Sequence, residues 1–228
     1  WSVSLGPGET EYWSNTMWRP YDCVRPRFAE LAENAGMTAE TYGESIEGRE
    51  LVAYRAPSSN GPAPGPMVLI TSGFHPAEGD TLGTEAILEW LASERWQERR
   101  RFDLVVVPIA NPDGFALGTN GCNAAGVNFF WDFRRHDRVN CPEAFHLWNL
   151  IKTNPPVVYV DFHSYSVQGA RKLPGPYVKP EQFYWGRGAK ELARHIARRL
   201  DAMPGTRPQR LMAPSTLAYK ITREMNTI

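Results

Sequence analysis

Three short apolar, β-prone runs, each ending in a loop rich in chemically active side chains, constrain this chain more than any other feature. Met67-Val68-Leu69-Ile70-Thr71, Leu104-Val105-Val106-Val107-Pro108-Ile109 and Pro155-Pro156-Val157-Val158-Tyr159-Val160 are too uniformly apolar for half-exposed strands. Such runs suit strands buried on both faces of a sheet. Between the first two, Leu82, Ala86, Ile87 and Trp90 recur at helical spacing over Thr81–Leu91. Strands alternating with helices imply an α/β fold with helices covering both faces of the sheet. In such a fold, ligands bind beyond the C-terminal ends of the strands.

The loops at those ends carry the chemistry. The first run leads through Ser72-Gly73-Phe74 into His75-Pro76-Ala77-Glu78. The second ends in Asn111-Pro112-Asp113-Gly114, a turn-forming sequence. The third ends in Asp161-Phe162-His163. His75, Glu78 and His163 together offer two imidazoles and a carboxylate, a ligand set for one Zn²⁺ with a fourth position left to a reacting water. A structural zinc site would draw on cysteine, and the chain has only three. His-x-x-Glu alone is common by accident. Its place in a strand-to-helix connection, with a distant histidine at the same address, separates it from an ordinary turn histidine.

With 228 residues, 42% of them hydrophobic, the chain has material for one sizeable domain spanning 1–228. Its 25 basic residues balance 25 acidic ones, so no charge footprint for nucleic acid is present. No apolar stretch is long enough to span a bilayer. Oligomeric state leaves no mark in the sequence. Cys122 and Cys141 flank one loop region, and their pairing is an even proposition on spacing alone. A chain starting at Trp1 is compatible with a removed leader, so localisation stays open between secreted and cytoplasmic, with a slight lean to secretion.

These residues resemble the zinc-dependent metallocarboxypeptidases, whose hallmark is His-x-x-Glu followed at long range by His. Gly43-Glu44-Ser45-Ile46-Glu47-Gly48-Arg49 is similar to the family's Gly-x-Ser-x-Glu-Gly-Arg segment, and Asn111–Gly114 to its Asn-Pro-Asp-Gly turn. Asp161–Ser166 is similar to its third-ligand segment, and Tyr219–Glu224 to the strand bearing its catalytic glutamate. Cys122 and Cys141 fall near a disulfide found in some digestive members. The resemblance implies a single α/β domain with a mixed, mostly parallel sheet and one zinc ion at the C-terminal strand edge. It implies His75, Glu78 and His163 as ligands. Glu224 is then the general base, facing the cleft with Lys220 and Thr222 from an extended strand while Tyr219 and Ile221 face the core.

The departures carry equal information. Where the family has Gly-Val-Asp-Leu-Asn-Arg-Asn-Phe, this chain has Gly126-Val127-Asn128-Phe129-Phe130-Trp131-Asp132-Phe133. Phe130 and Trp131 replace the Asn-Arg pair that holds a substrate's terminal carboxylate, and Gly121 replaces an upstream arginine that steadies the oxyanion. Neither aromatic can make arginine's forked, charge-assisted contact with a carboxylate. Losing an oxyanion donor costs about 3 kcal/mol of transition-state stabilisation. Asn128 replaces an aspartate that supports the first zinc histidine, which lowers the expected zinc affinity unless Asp161 or Asp132 compensates. Tyr177 and Tyr184 are candidates for the family's substrate-binding tyrosine, though each reads more readily as an ordinary loop aromatic.

The expected function is zinc-dependent hydrolysis of peptide or other amide bonds, with Phe130 and Trp131 lining a pocket for an uncharged end group. Arg134 and Arg135 are candidates for restoring an anion site there. A small-molecule deacylase or amidase, and a catalytically feeble zinc-binding recognition domain, are the alternatives.

Overall fold

The structure, a computed structural model, describes residues 4–11, 18–59, 65–93, 96, 100–133, 135–163, 184–201 and 216–228. Five strands form one sheet: β1 (Thr38–Glu44), β2 (Glu50–Ala56), β3 (Met67–Thr71), β4 (Asp103–Val107) and β5 (Val158–Asp161). Their order is β1-β2-β4-β3-β5. β1–β2 and β2–β4 pair antiparallel, whereas β4–β3 and β3–β5 pair parallel. The three buried-strand runs are therefore neighbours and point the same way.

Alternation along these strands feeds two cores. Leu69, Val105 and Val107 join the core formed with α4 (Pro142–Thr153) and α6 (Leu217–Met225). Ile70, Leu104 and Val106 join the opposite core with α1 (Tyr21–Asn34), α2 (Thr81–Ser93) and Phe115 of α3 (Pro112–Leu117). A further helix, α5, spans Arg187–Asp201. No described helix is long and apolar enough to cross a membrane.

Connectivity fixes where a ligand can sit. From β3 the chain crosses one face through α2 to reach β4, then crosses the other face through α4 to land at β5, on the far side of β3. The direction of winding reverses at β3, and such a reversal opens a crevice beyond the C-terminal ends of the strands. The His75 loop after β3 and His163 after β5 flank that crevice.

Tyr219–Glu224 departs from expectation: it lies within α6 and is not a strand. Thr216 caps this helix by accepting from Tyr219 N–H, and Asn226 closes it in the left-handed conformation. Leu217, Ala218, Ile221 and Thr222 are buried, a one-sided helical spacing. An extended strand would have buried Tyr219 alongside Leu217 and Ile221, but Tyr219 is only half-buried. Full burial of Leu217 and of Ile221 contributes about 1.5–3 kcal/mol each, and the helix secures both. Beyond it, Ile228 N–H donates to Val157 O and Tyr159 N–H donates to Ile228 O, so the chain returns alongside β5.

Candidate metal centre

His75, Glu78 and His163 come together. Pro76–Glu78 form a single 3₁₀ turn that starts at His75 and ends at Gly79 in the left-handed conformation. With three residues per turn, side chains three apart eclipse, so His75 and Glu78 face the same side. Pro76 takes the first helical position, where its missing N–H costs nothing. His163 arrives from the next strand, and Phe162 N–H, donating to Thr71 O, extends the β3–β5 ladder up to it.

His75 Nδ1 lies 3.1 Å from Glu78 Oε1. His163 Nε2 lies 3.3 Å from Glu78 Oε2. One ligand atom from each of the three residues falls within 4.8 Å of the other two. Tetrahedral zinc with bonds of about 2.0–2.1 Å holds neighbouring ligand atoms about 3.3 Å apart. The donor set therefore fits one zinc ion in both chemistry and spacing.

Proton placement supports the fit. Asn128 Oδ1 sits 3.1 Å from His75 Nε2 and accepts its proton, which leaves the Nδ1 lone pair aimed at a carboxylate oxygen. Two electron-rich atoms face each other stably only with a proton or a cation between them. Burial pulls the His75 pKa down, but the hydrogen bond and charge of Glu78 outweigh it and leave the group raised. Burial, with His75 adding to it, lowers His163 to about 3, so this imidazole is neutral as a ligand must be. Burial lifts Asp80 to about 7. Burial, then the charge of Asp80, lifts Asp161 to about 8.

Asn111 welds the surrounding loops. Its amide donates to Phe74 O and to Cys122 O, and its Oδ1 caps α3 through Gly114 N–H. Asp113, fully buried, accepts from Ser45 Oγ at 2.7 Å, Glu47 N–H at 3.1 Å and Arg49 Nη1 at 2.7 Å. The Asn-Pro-Asp-Gly turn and the Ser-x-Glu-Gly-Arg segment thus lock to each other across the fold.

The remaining expected residues divide. Phe130 does not line an open pocket: it is 1% exposed and stacks on His163, with ring centroids 4.0 Å apart and planes 16° off parallel. Trp131, 38% exposed, meets His163 edge-on at 6.2 Å and is the aromatic left at the surface. Asn128 supports His75 as described. Glu224 is exposed on α6, its Oε1 held by Arg135 Nη1 at 2.9 Å. The extended strand from which it was expected to face the cleft is replaced by this helix. Arg135 also lies over the Trp148 ring. Arg134 and Tyr177 lie outside the described residues, and Tyr184 is buried. No disulfide joins Cys122 to Cys141.

Sequence reasoning saw Gly121 only as a lost arginine and missed its close approach to His75. Its φ is +86°, and a Cβ there would sit 2.8 Å from His75 Nε2. The backbone approaches the imidazole as closely as glycine alone permits.

Residues 29–226 match the model of the Peptidase_M14 family, zinc carboxypeptidase. The chain belongs to this family. Among curated proteins, cytosolic carboxypeptidase 2 of Danio rerio is 32% identical over 109 residues, 43% of this chain and 15% of that protein. Cytosolic carboxypeptidase 6 of Caenorhabditis elegans is 30% identical over 110 residues, 44% of this chain and 24% of that one. The chain thus spans less than a quarter of the length of either relative. A metallo-carboxypeptidase from Burkholderia cenocepacia has the same fold, with a TM-score of 0.75 at 18% identity over 93% of this chain and 60% of the other. One from Pseudomonas aeruginosa, solved with (2-guanidinoethylmercapto)succinic acid, gives 0.71 at 20% identity over 90% and 58%. This agrees with the mixed α/β architecture and the single metal centre of a zinc carboxypeptidase.

Proposed function

We propose that this protein is a zinc-dependent peptidase that cleaves substrates whose end group is not held by the usual carboxylate anchor. The observation that carries the reading is the convergence of His75, Glu78 and His163 at ligand spacing beyond the ends of β3 and β5. These three residues would hold one zinc ion. When bound, the ion lowers the pKa of a water and polarises a carbonyl.

The chain's own residues prepare that chemistry. Asn128 fixes the His75 tautomer so that Nδ1 is the ligating atom. Phe130 covers one face of His163 and keeps water from it. Glu78 faces one histidine with each of its oxygens and so sets their separation. Glu224 is the proposed proton acceptor, and Arg135 holds its carboxylate on α6.

Substrate choice follows from the surface beside His163. Trp131 offers an apolar, half-exposed wall there, and Arg135, four residues further along the chain, pairs with Glu224 and lies over the Trp148 ring. An uncharged or blocked end group suits such a wall. The deacylase and recognition-domain readings draw on no observation of their own.

The test is zinc stoichiometry followed by hydrolysis of matched peptides with a free or an amidated C-terminus. One zinc per chain and cleavage of the amidated series at least as fast are expected. No turnover with zinc fully bound overturns the hydrolase. A clear preference for free carboxylates overturns the specificity.

A further inference from the structure

Two residues that touch neither metal nor substrate stand against the two ligating imidazoles, and each closes off the room its histidine would need to turn. Gly121 lies on the His75 side. A Cβ at this position would meet the imidazole at Nε2, 2.8 Å away, and Asn128 Nδ2 at 3.1 Å. The ring has nowhere to retreat: His75 is 3% exposed, hydrogen-bonded to Asn128 on one nitrogen and facing Glu78 with the other. The loop that carries Gly121 is itself fastened, since Asn111 and Thr119 both donate to Cys122 O.

Phe130 lies on the His163 side. Its ring stacks on that imidazole at 4.0 Å and meets His75 edge-on at 5.4 Å, while Phe74 holds Phe130 from behind at 5.3 Å. A flat ring pressed on a flat ring removes the tilt that a rounded side chain would allow. Phe74 directly precedes His75, so the support closes on the same turn that carries the first ligand.

We infer that Gly121 and Phe130 are positioning residues that clamp His75 and His163 in ligating orientation, Gly121 by lacking a side chain and Phe130 by stacking. The inference rests on the zinc assignment made above. On it, the glycine and phenylalanine at these positions belong to one arrangement: a bulkier residue at 121 displaces the ring that Asn128 and Phe130 hold. Partners of ligating histidines change metal affinity by about 10–100-fold when altered.

Two neighbours provide matched controls. Gly126 also has positive φ, +75°, but a Cβ there meets nothing within 4 Å. Gly126→Ala therefore carries the backbone strain of Gly121→Ala without the contact to His75. Phe129 is as buried as Phe130 and also packs on Phe74, at 5.4 Å. Phe129→Leu therefore loses a core ring away from His163, and Phe130→Leu loses the stacked one.

The experiment measures zinc affinity by competition with a chromophoric chelator, the visible spectrum of the Co²⁺-substituted protein, and melting of the metal-free protein. Gly121→Ala and Phe130→Leu should each weaken zinc by about tenfold or more and shift the cobalt bands. Gly126→Ala and Phe129→Leu should lower the melting temperature yet leave zinc affinity and the cobalt spectrum near wild type. If the Gly121 and Phe130 variants bind zinc as their controls do, the clamp is refuted while the metal centre stands. If His163→Ala binds zinc as tightly as wild type, the metal assignment falls and the clamp with it.

Discussion

Replacing Asn128 by aspartate tests the metal centre through a group that never touches the metal. Asn128 Oδ1 accepts from His75 Nε2 at 3.1 Å, on the far side of the ring from the ligating Nδ1. With the imidazole and a zinc–nitrogen bond of about 2.1 Å between them, a carboxylate oxygen at that position lies roughly 6–7 Å from the ion. One negative charge against two positive ones at that distance, with an effective dielectric of about 20, attracts by about 5 kcal/mol. Most of this is offset by desolvating the carboxylate, a moderate cost because Asn128 is only half-buried. The surplus expected from such a partner is tenfold to a hundredfold in affinity, or about 1.4–2.7 kcal/mol.

The new charge also strengthens proton binding at His75, which competes with the metal. Asn128→Asp should therefore tighten zinc by about tenfold or more at pH 8, with a smaller gain at pH 6. Asn128→Ala should weaken it by a similar factor. Chelator competition at both pH values reads each effect directly. Zinc affinity in Asn128→Asp that is unchanged or weaker at pH 8 would refute the assignment of Nδ1 as the ligating atom and Nε2 as the supported one.

Glu224→Gln should leave zinc affinity unchanged and shift stability by less than about 1 kcal/mol, because its ion pair with Arg135 is exposed. Turnover should fall by two or more powers of ten with zinc still bound, and unchanged activity would remove Glu224 from the mechanism. Asp113→Ala should destabilise by about 3 kcal/mol or more, since it strands Ser45 and Arg49, which donate to the buried carboxylate; urea denaturation measures this, and a cost under about 1 kcal/mol would break the proposed lock between the two loops. Burial raises the Glu143 pKa above its ordinary value, so the folded protein holds this proton more tightly than the unfolded chain and loses stability as pH climbs above the ordinary carboxylate range. Glu143→Gln keeps an oxygen for Asn123 Nδ2 and removes that titration. Its stability relative to wild type should grow from pH 4 to pH 8, and a flat difference would show that Glu143 titrates normally.

Much of the scaffold was legible because strong local signals agreed. β3 and β4 begin with the apolar runs that announced them, and the third run gives β5. His75, Glu78 and His163 meet because two of those strands are adjacent and parallel, as the family resemblance implied. Asn111 and Asp113 were legible as a turn but not as a joint. Their partners, Cys122 O and Ser45, are remote in sequence and leave no periodic trace. Tyr219–Glu224 misled for a different reason. Six residues admit both periods, and the helix shows itself only when Leu217, Ala218 and the Thr216 cap are added. Read as Thr216-Leu217-Ala218…Ile221-Thr222, the stretch has a cap and an i, i+4 apolar face.

Phe130 and Trp131 mark the limit of reading direction from residue type. Both replace polar anchors, and as a pair they read as one aromatic wall. They lie in a turn, where neither the period of a helix nor that of a strand assigns a face to each side chain. The chain sends Phe130 inward onto His163 and leaves Trp131 outside. A substitution that removes a substrate contact in the sequence thus adds a support for a ligand in the structure. This matters for reversal: Phe130→Asn would open a gap behind His163 before it offered any hydrogen bond to substrate. An arginine at 121 would collide with His75 before it reached an oxyanion. Restoring the family's residues one at a time should therefore weaken the metal centre first, and anion recognition could return only if the loop from Gly121 to Trp131 were rebuilt as a unit.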